Sequence, residues 1–400
     1  MDPAVSKNRY RRLTDHFQHC VELPPPKRQG YVATVSVEDA DLGHELEDLL
    51  RQHAKRLDSD VATPIPEDAR PRPGKASIHW LTALTQFLRR RGARSGELLV
   101  GSYVIERCIG RGATADIYLA RHAILKRQAA LKILKDAHPS ADAAHRFERE
   151  ARLASRLGHP NTVQVFDYGK ASDGRLYLAM EYVQGLNLSQ LMALEQPLPI
   201  ARVVFILKQI AGSLDEAHKM GLVHRDLKPL NVMLGCKGAI GDAVKVLDFG
   251  LASQLTGADE DVIRSDAIVG SPAFMAPERF LAPMQMDPRS DIYSFGAVAF
   301  HLLTGRSVFE SGGPAELMYQ VLTACRPSPS RLRGERIPDP LESLVLDCLS
   351  VAPALRPPTF RSVRERLRAV PLSERWGRDE AFQWWTDNRE KASHFLQATV

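Results

Sequence analysis

Leu222-Val223-His224-Arg225-Asp226-Leu227-Lys228-Pro229-Leu230-Asn231-Val232 is the stretch on which the reading of this chain turns. Apolar residues close it at both ends, and an imidazole, an acid, two cationic side chains and an amide lie between them. A loop anchored in core at each end presents its polar groups rigidly to one small volume. Phosphoryl transfer to a hydroxyl asks for such a set: a carboxylate to orient and deprotonate the acceptor, a cation for the γ-phosphate, and an amide for metal. Asp226, Lys228 and Asn231 fill those places. A polar surface loop is the plainer alternative, but the spacing from His224 to Asn231 is demanding. The rest of the chain must then supply a nucleotide site.

That site is legible upstream. Tyr103–Arg107 alternates as a strand and runs into Gly110-Arg111-Gly112-Ala113-Thr114-Ala115, and Ile117–Ala120 reads as the returning strand. Glycines between paired strands let backbone N–H groups approach phosphate oxygens closely. The pattern lacks the following helix of a dinucleotide fold. A third strand, Gln128–Leu134, carries Lys132 inside an apolar run, where an ammonium is costly unless paired. The next helix offers a partner. Glu150 shares a face with Phe147 and Leu153 and is expected to point inward, whereas Glu148 is not.

Together these residues resemble the bacterial branch of the eukaryotic-like serine/threonine protein kinases, from about Tyr103 to about Val370. The landmarks occur in order: the glycine-rich loop, Ala130-Leu131-Lys132, Glu150, the His224–Asn231 loop, Asp248-Phe249-Gly250, Ala276-Pro277-Glu278, Asp291 and Arg356. The resemblance implies an α+β, two-lobed protein kinase fold. It has a small antiparallel β lobe with one main helix and a large, mainly α-helical lobe, here preceded by a small helical module.

The same resemblance implies the roles of individual residues. ATP would be held by Ile109, Gly110, Arg111, Gly112, Ala113, Thr114, Ala115, Ile117, Ala130 and Lys132, with adenine on the backbone of a hinge at Met180-Glu181-Tyr182-Val183, chiefly Glu181 and Val183. Lys132 would be oriented by Glu150, Asp248 and Asn231 would bind Mg2+ (or Mn2+), and Asp226 and Lys228 would serve the transferred phosphoryl group. Lys228 implies serine or threonine acceptors on protein substrates. Asn187 and Leu230 stand where arginine-directed relatives carry acids. Arg225 implies a phosphate-receiving role toward the segment from Asp248 to Glu278, with Ser265 as the expected autophosphorylation site and Thr256 as the alternative. Glu278 is expected to pair with Arg356, and Asp291 to anchor the catalytic loop. Gly235–Val244 is expected to form a surface hairpin. A pseudokinase scaffold is the competing function. Lys132, Asp226 and Asp248, whose loss usually marks such scaffolds, are all present.

Four segments are expected along the chain: a helical module over 1–58, a Pro-rich linker plus basic amphipathic helix over 59–102, a kinase domain over 103–370, and an aromatic-rich tail over 371–400. The module holds helical patterns at Tyr10–Val21 and Leu42–Leu50 and a weaker one near Tyr31, and it could serve a regulatory partner or a dimer. The tail carries three of the four tryptophans, Trp376, Trp384 and Trp385, and is expected to dock on the large lobe. With 53 basic and 48 acidic residues the net charge is only +5, which gives no nucleic-acid footprint. Five scattered cysteines without a Cys-x-x-Cys pair argue for free thiols rather than disulfides or zinc. Apolar runs fall short of the roughly 18–20 residues of a membrane span, and the start lacks a signal pattern. A soluble, cytoplasmic protein is expected.

Overall fold

Short apolar strands build the first sheet, each folding back on a neighbour, with one helix interrupting their order in the chain. In the computed structural model the described residues are 31–36, 39, 98–112, 114–136, 139–237, 240–249, 272–281, 287–310 and 313–397. The chain divides into two compact units, Met1–Leu81 and Thr82–Val400. In the first, a short helix covers residues 31–36, where the weakest of the three helical patterns lies. The stretches Tyr10–Val21 and Leu42–Leu50, the Pro-rich linker and the basic segment ending at Arg91 lie outside the described residues.

The described residues of the second unit begin with β1 (Leu98–Val100), β2 (Tyr103–Arg111), β3 (Ala115–His122) and β4 (Gln128–Leu134). Helix α1 (Ala141–Ala154) follows, then β5 (Val165–Lys170) and β6 (Leu176–Glu181). The six strands form one antiparallel sheet in the order β1-β2-β3-β4-β6-β5. Because β1 pairs with β2, this sheet begins within the segment expected to be linker and helix. Helix α1 starts where Ser140 caps the Ala143 N–H at 3.2 Å. Its buried face is Ala143, Phe147, Glu150, Ala151 and Ala154. The three-and-four spacing thus puts one carboxylate among apolar neighbours.

The larger lobe is mostly helical. A small sheet of β7 (Gly185–Asn187), β8 (Val232–Lys237) and β9 (Ile240–Val246) joins α2 (Leu188–Leu194) and α3 (Ile200–Lys219). Then come α4 (Pro277–Leu281), α5 (Arg289–Thr304), α6 (Pro314–Thr323), α7 (Pro329–Arg333), α8 (Asp339–Cys348) and α9 (Phe360–Arg368). Helices α3 and α5 form the centre: Leu207, Ile210, Leu214, Phe300 and Leu302 are fully buried. Each such side chain contributes about 1.5–3 kcal/mol of burial free energy. Helix α5 is apolar all round because neighbours cover it on every side. Gly296 keeps its side free for α8, since a Cβ there would lie 2.6 Å from Cys348.

Beyond Val370, the tail folds into α10 (Arg378–Asp387) and α11 (Arg389–Gln397). As expected it docks on the large lobe, and α10 lies across β9. This corrects the surface hairpin expected at Gly235–Val244. A hairpin forms, but Asp242, Val244 and Val246 are wholly buried. The physical reason is the covering helix: a Cβ on Gly241 would come within 2.6 Å of the backbone at Ala381 and Phe382. Under α10, Arg202 meets both oxygens of Asp242 at 2.9 Å, and the indole N–H groups of Trp376 and Trp385 donate to the same carboxylate at 3.0 and 2.9 Å. The buried charges are thus paired and hydrogen-bonded, the condition on which burial is tolerated.

Candidate active site

The catalytic-loop sequence folds as its anchors dictate. Leu222, Val223 and Leu227 are buried. Asp291, near the start of α5, accepts the His224 N–H at 2.7 Å and the Arg225 N–H at 2.8 Å, and meets His218 Nε2 at 2.8 Å. Burial pushes the Asp291 carboxyl up, but these bonds and the nearby imidazoles hold it below the usual range. Two of the candidate site residues occupy the left-handed region, Arg225 at φ 66° and Asp248 at φ 52°. Such backbone strain persists only where the surroundings fix it. Asp291 fixes the first.

His224 stitches the loop to the strand that carries Asp248. Its Nδ1 accepts from the Asp226 N–H at 3.2 Å, so Nε2 carries the proton toward Leu247 O at 2.7 Å. The Leu247 N–H in turn donates to Asn231 O at 2.9 Å. Within the loop, Asn231 Nδ2 donates to Asp226 Oδ2 at 2.9 Å, and Lys228 Nζ stands 2.8 Å from that same oxygen. Asp226 remains 45% exposed, so an incoming hydroxyl can reach it. Asp226, Lys228 and Asn231 are therefore brought together, as their spacing predicts.

Lys132 lies on β4 between Ile117 of β3 and Leu178 of β6. Its Nζ is 2.8 Å from Asp248 Oδ1. Burial raises the Asp248 carboxyl, and Lys132, supported by His224 and Lys228, brings it below the usual range. Here the structure departs from expectation. No ion pair joins Lys132 to Glu150 among the described residues; Glu150 Oε1 instead faces Arg225 Nη1 at 3.6 Å, and its buried Oε2 lacks a hydrogen bond. The inward direction read for Glu150 is right and the partner is different. The Lys132 ammonium is held by Asp248. Burial raises the Glu150 carboxyl to about 7 despite the nearby Arg225, Arg149 and Arg146, which weakens its competition for a cation near neutral pH.

A cavity of about 200 Å3 opens beside this cluster. Ile109, Ile117, Ala130, Met180 and Leu247 give it apolar walls, and the hinge Glu181-Tyr182-Val183 lines its edge. Such a slot, apolar with a few polar groups at one end, suits a flat heteroaromatic ring. The Glu181 side chain is engaged by Lys245 at 2.6 Å, which fixes the hinge to β9. Above the cavity, β2 and β3 close the glycine turn, where the Gly112 N–H donates to Ala115 O at 2.9 Å. A Cβ on Gly112 would sit 3.0 Å from that carbonyl. Gly110 and Arg111 end β2, Ala115 begins β3 and Thr114 lies in the turn between them; Ala113, Ser265 and Thr256 lie outside the described residues.

Leu230 and Asn187 also line the cavity, as do Arg107, Gln190, Met233 and Phe395. Asn187 caps α2, exchanging 2.9 Å bonds with Gln190. Reading the sequence did not place Phe395 here; the density of aromatics in the tail was the available signal. The donor set fits a hard divalent cation in kind. Asp248 offers a carboxylate, one oxygen of which faces Lys132 in this structure, and Asn231 offers an amide oxygen, both hard donors.

Comparison with known proteins agrees with this geometry. The family model described as "Protein kinase domain" matches residues 103–366. A serine/threonine-protein kinase pkn3 of Myxococcus xanthus is 39% identical over 284 residues, 70% of this chain and 52% of that protein. PrkC of Bacillus subtilis is 35% identical over 69% of this chain and 41% of its own length. The chain thus spans about half, or less, of the curated relatives it matches. A crystal structure of the Mycobacterium tuberculosis PknI kinase domain superposes with a TM-score of 0.53 at 30% identity, covering 69% of this chain and 98% of that one.

Proposed function

This chain belongs to the protein kinase domain family, and from that premise we propose that it is a serine/threonine protein kinase, moving the γ-phosphate of ATP to protein hydroxyls. The observation that carries the reading is the Asp226–Lys228–Asn231 cluster, whose carboxylate is both restrained and open to solvent. Asp226 receives the acceptor's proton, and Lys228 offsets charge that develops on the transferred group. Adenine occupies the slot between Ala130 and Leu247, and Lys132 turns to the phosphates. Asp248 and Asn231 would hold Mg2+ or Mn2+, which when bound neutralises phosphate charge. Positioning and charge neutralisation supply most of the rate in such reactions.

Regulation follows from the pair that does form. Arg225 at present faces Glu150. A phosphate on the activation segment, at Ser265 or alternatively Thr256, would claim Arg225 through charge-assisted bonds and release Glu150 toward Lys132. The N-terminal unit is proposed as the place where a regulatory partner or second copy acts. Among the described residues no helix is long and apolar enough to cross a membrane.

Labelled ATP, with mass-spectrometric mapping of the product, tests the assignment. Asp226→Asn should lower phosphoryl transfer by about 10²-fold or more while the protein stays folded. Equal labelling by wild type and Asp226→Asn would overturn the reading.

A further inference from the structure

The family match ends at residue 366, yet the chain's own cavity is not finished there. Helix α11 packs against β7 and α2, the segments that directly follow the hinge. From that helix Phe395 reaches the cavity wall, in company with Val183, Gln190 and Leu230. Its position is set from a distance. Trp376 and Trp385 tie the start and middle of the tail to Asp242, and Arg202 stacks on Trp384 at 3.9 Å and on Trp376 at 4.8 Å. Arg202 and Asp242 are wholly buried. Gly241 lets the α10 backbone approach closely enough for this arrangement.

We propose that the C-terminal tail is part of the nucleotide site, with Phe395 as a nucleotide-binding residue that closes the cavity mouth over the base-and-ribose end of a purine nucleotide. The inference rests on placing the nucleotide in this cavity. An aromatic side chain at the lip removes apolar ligand surface from water and costs little entropy to hold, having only two rotatable bonds. It does so without a hydrogen bond, so it adds affinity for the nucleoside part and none for the phosphates. The Asp242 knot acts through Phe395: it positions the helix, and the ring meets the ligand.

The test is equilibrium binding of ADP, and separately of adenosine, to the full chain. Phe395→Ala should weaken both by the same factor, about five- to tenfold, because both carry the base and ribose. Phe395→Tyr should stay within about twofold of wild type, since the ring is kept. Phe382→Ala, on the exposed side of α10, serves as the control and should bind as wild type does. Unchanged binding in Phe395→Ala, or an equal loss in Phe382→Ala, would overturn the proposal. Ala130→Leu, which narrows the slot itself, separates the two layers of inference. If it binds ADP normally, the nucleotide does not occupy this cavity; if it is impaired while Phe395→Ala is not, only the role of the tail fails.

Discussion

Glu150 is a buried carboxyl of the site with one oxygen that lacks a hydrogen bond. A carboxyl raised from 4.5 to about 7 by burial holds its proton in the folded protein where the unfolded chain has already lost it. Its contribution to stability is therefore complete below about pH 4.5 and is lost as pH rises through about 7. Asp248, Glu278 and Asp291 are shifted the other way, so their contributions fade only in acid. Glu150→Gln cannot ionise. The stability of wild type relative to this variant should fall between about pH 5 and pH 8, read from thermal denaturation across that range. A difference independent of pH would mean that Glu150 titrates normally. That Glu150 turns inward was legible from its helical face. Its partner was not, because Lys132, Asp248 and Arg225 come from three other elements whose separations no local pattern encodes.

At the scale of elements, the catalytic loop is an irregular segment hung from one helix. Asp291 meets three donors with two oxygens, and an amide in its place sets an N–H₂ against one of them. Asp291→Asn should cost about 2–4 kcal/mol in denaturant unfolding, with phosphoryl transfer falling further than stability alone explains because Arg225 loses its support. A loss below about 1 kcal/mol would show that the loop holds itself. Strands β2, β3 and β4 and the inward face of α1 were readable because their apolar patterns are regular. The loop and Asp291 were readable through their motif. The Arg202–Asp242 pair was not: an arginine inside α3 and an aspartate in a hairpin look like surface charges until α10 buries both. The surface hairpin read at Gly235–Val244 failed for the same reason, since a helix more than a hundred residues later decides its exposure.

Across the whole molecule, single buried ion pairs hold distant segments together. Glu278 and Arg356 meet through two bonds of 2.7 Å across 78 residues, and Arg202 and Asp242 do the same beneath the tail. Both lobes were legible in outline, and the tail's docking too, but not the reach of Phe395 to the cavity beside Asp248, which depends on where α11 ends in space. The knot at Asp242 has one more consequence, an optical one. Trp376, Trp384 and Trp385 crowd around a single guanidinium and carboxylate, and the fourth tryptophan, Trp80, lies outside the described residues. Intrinsic emission is thus weighted toward α10 rather than toward the helical core. That helix packs Ala381, Trp384 and Trp385 against the large lobe, but it lies near the end of the described residues, and terminal elements are among the first to open. In a denaturant titration the emission change should precede the loss of helical ellipticity, and coincident midpoints would place tail and core in one cooperative unit. The protein carries its own dye, attached at the one joint that separates tail from core.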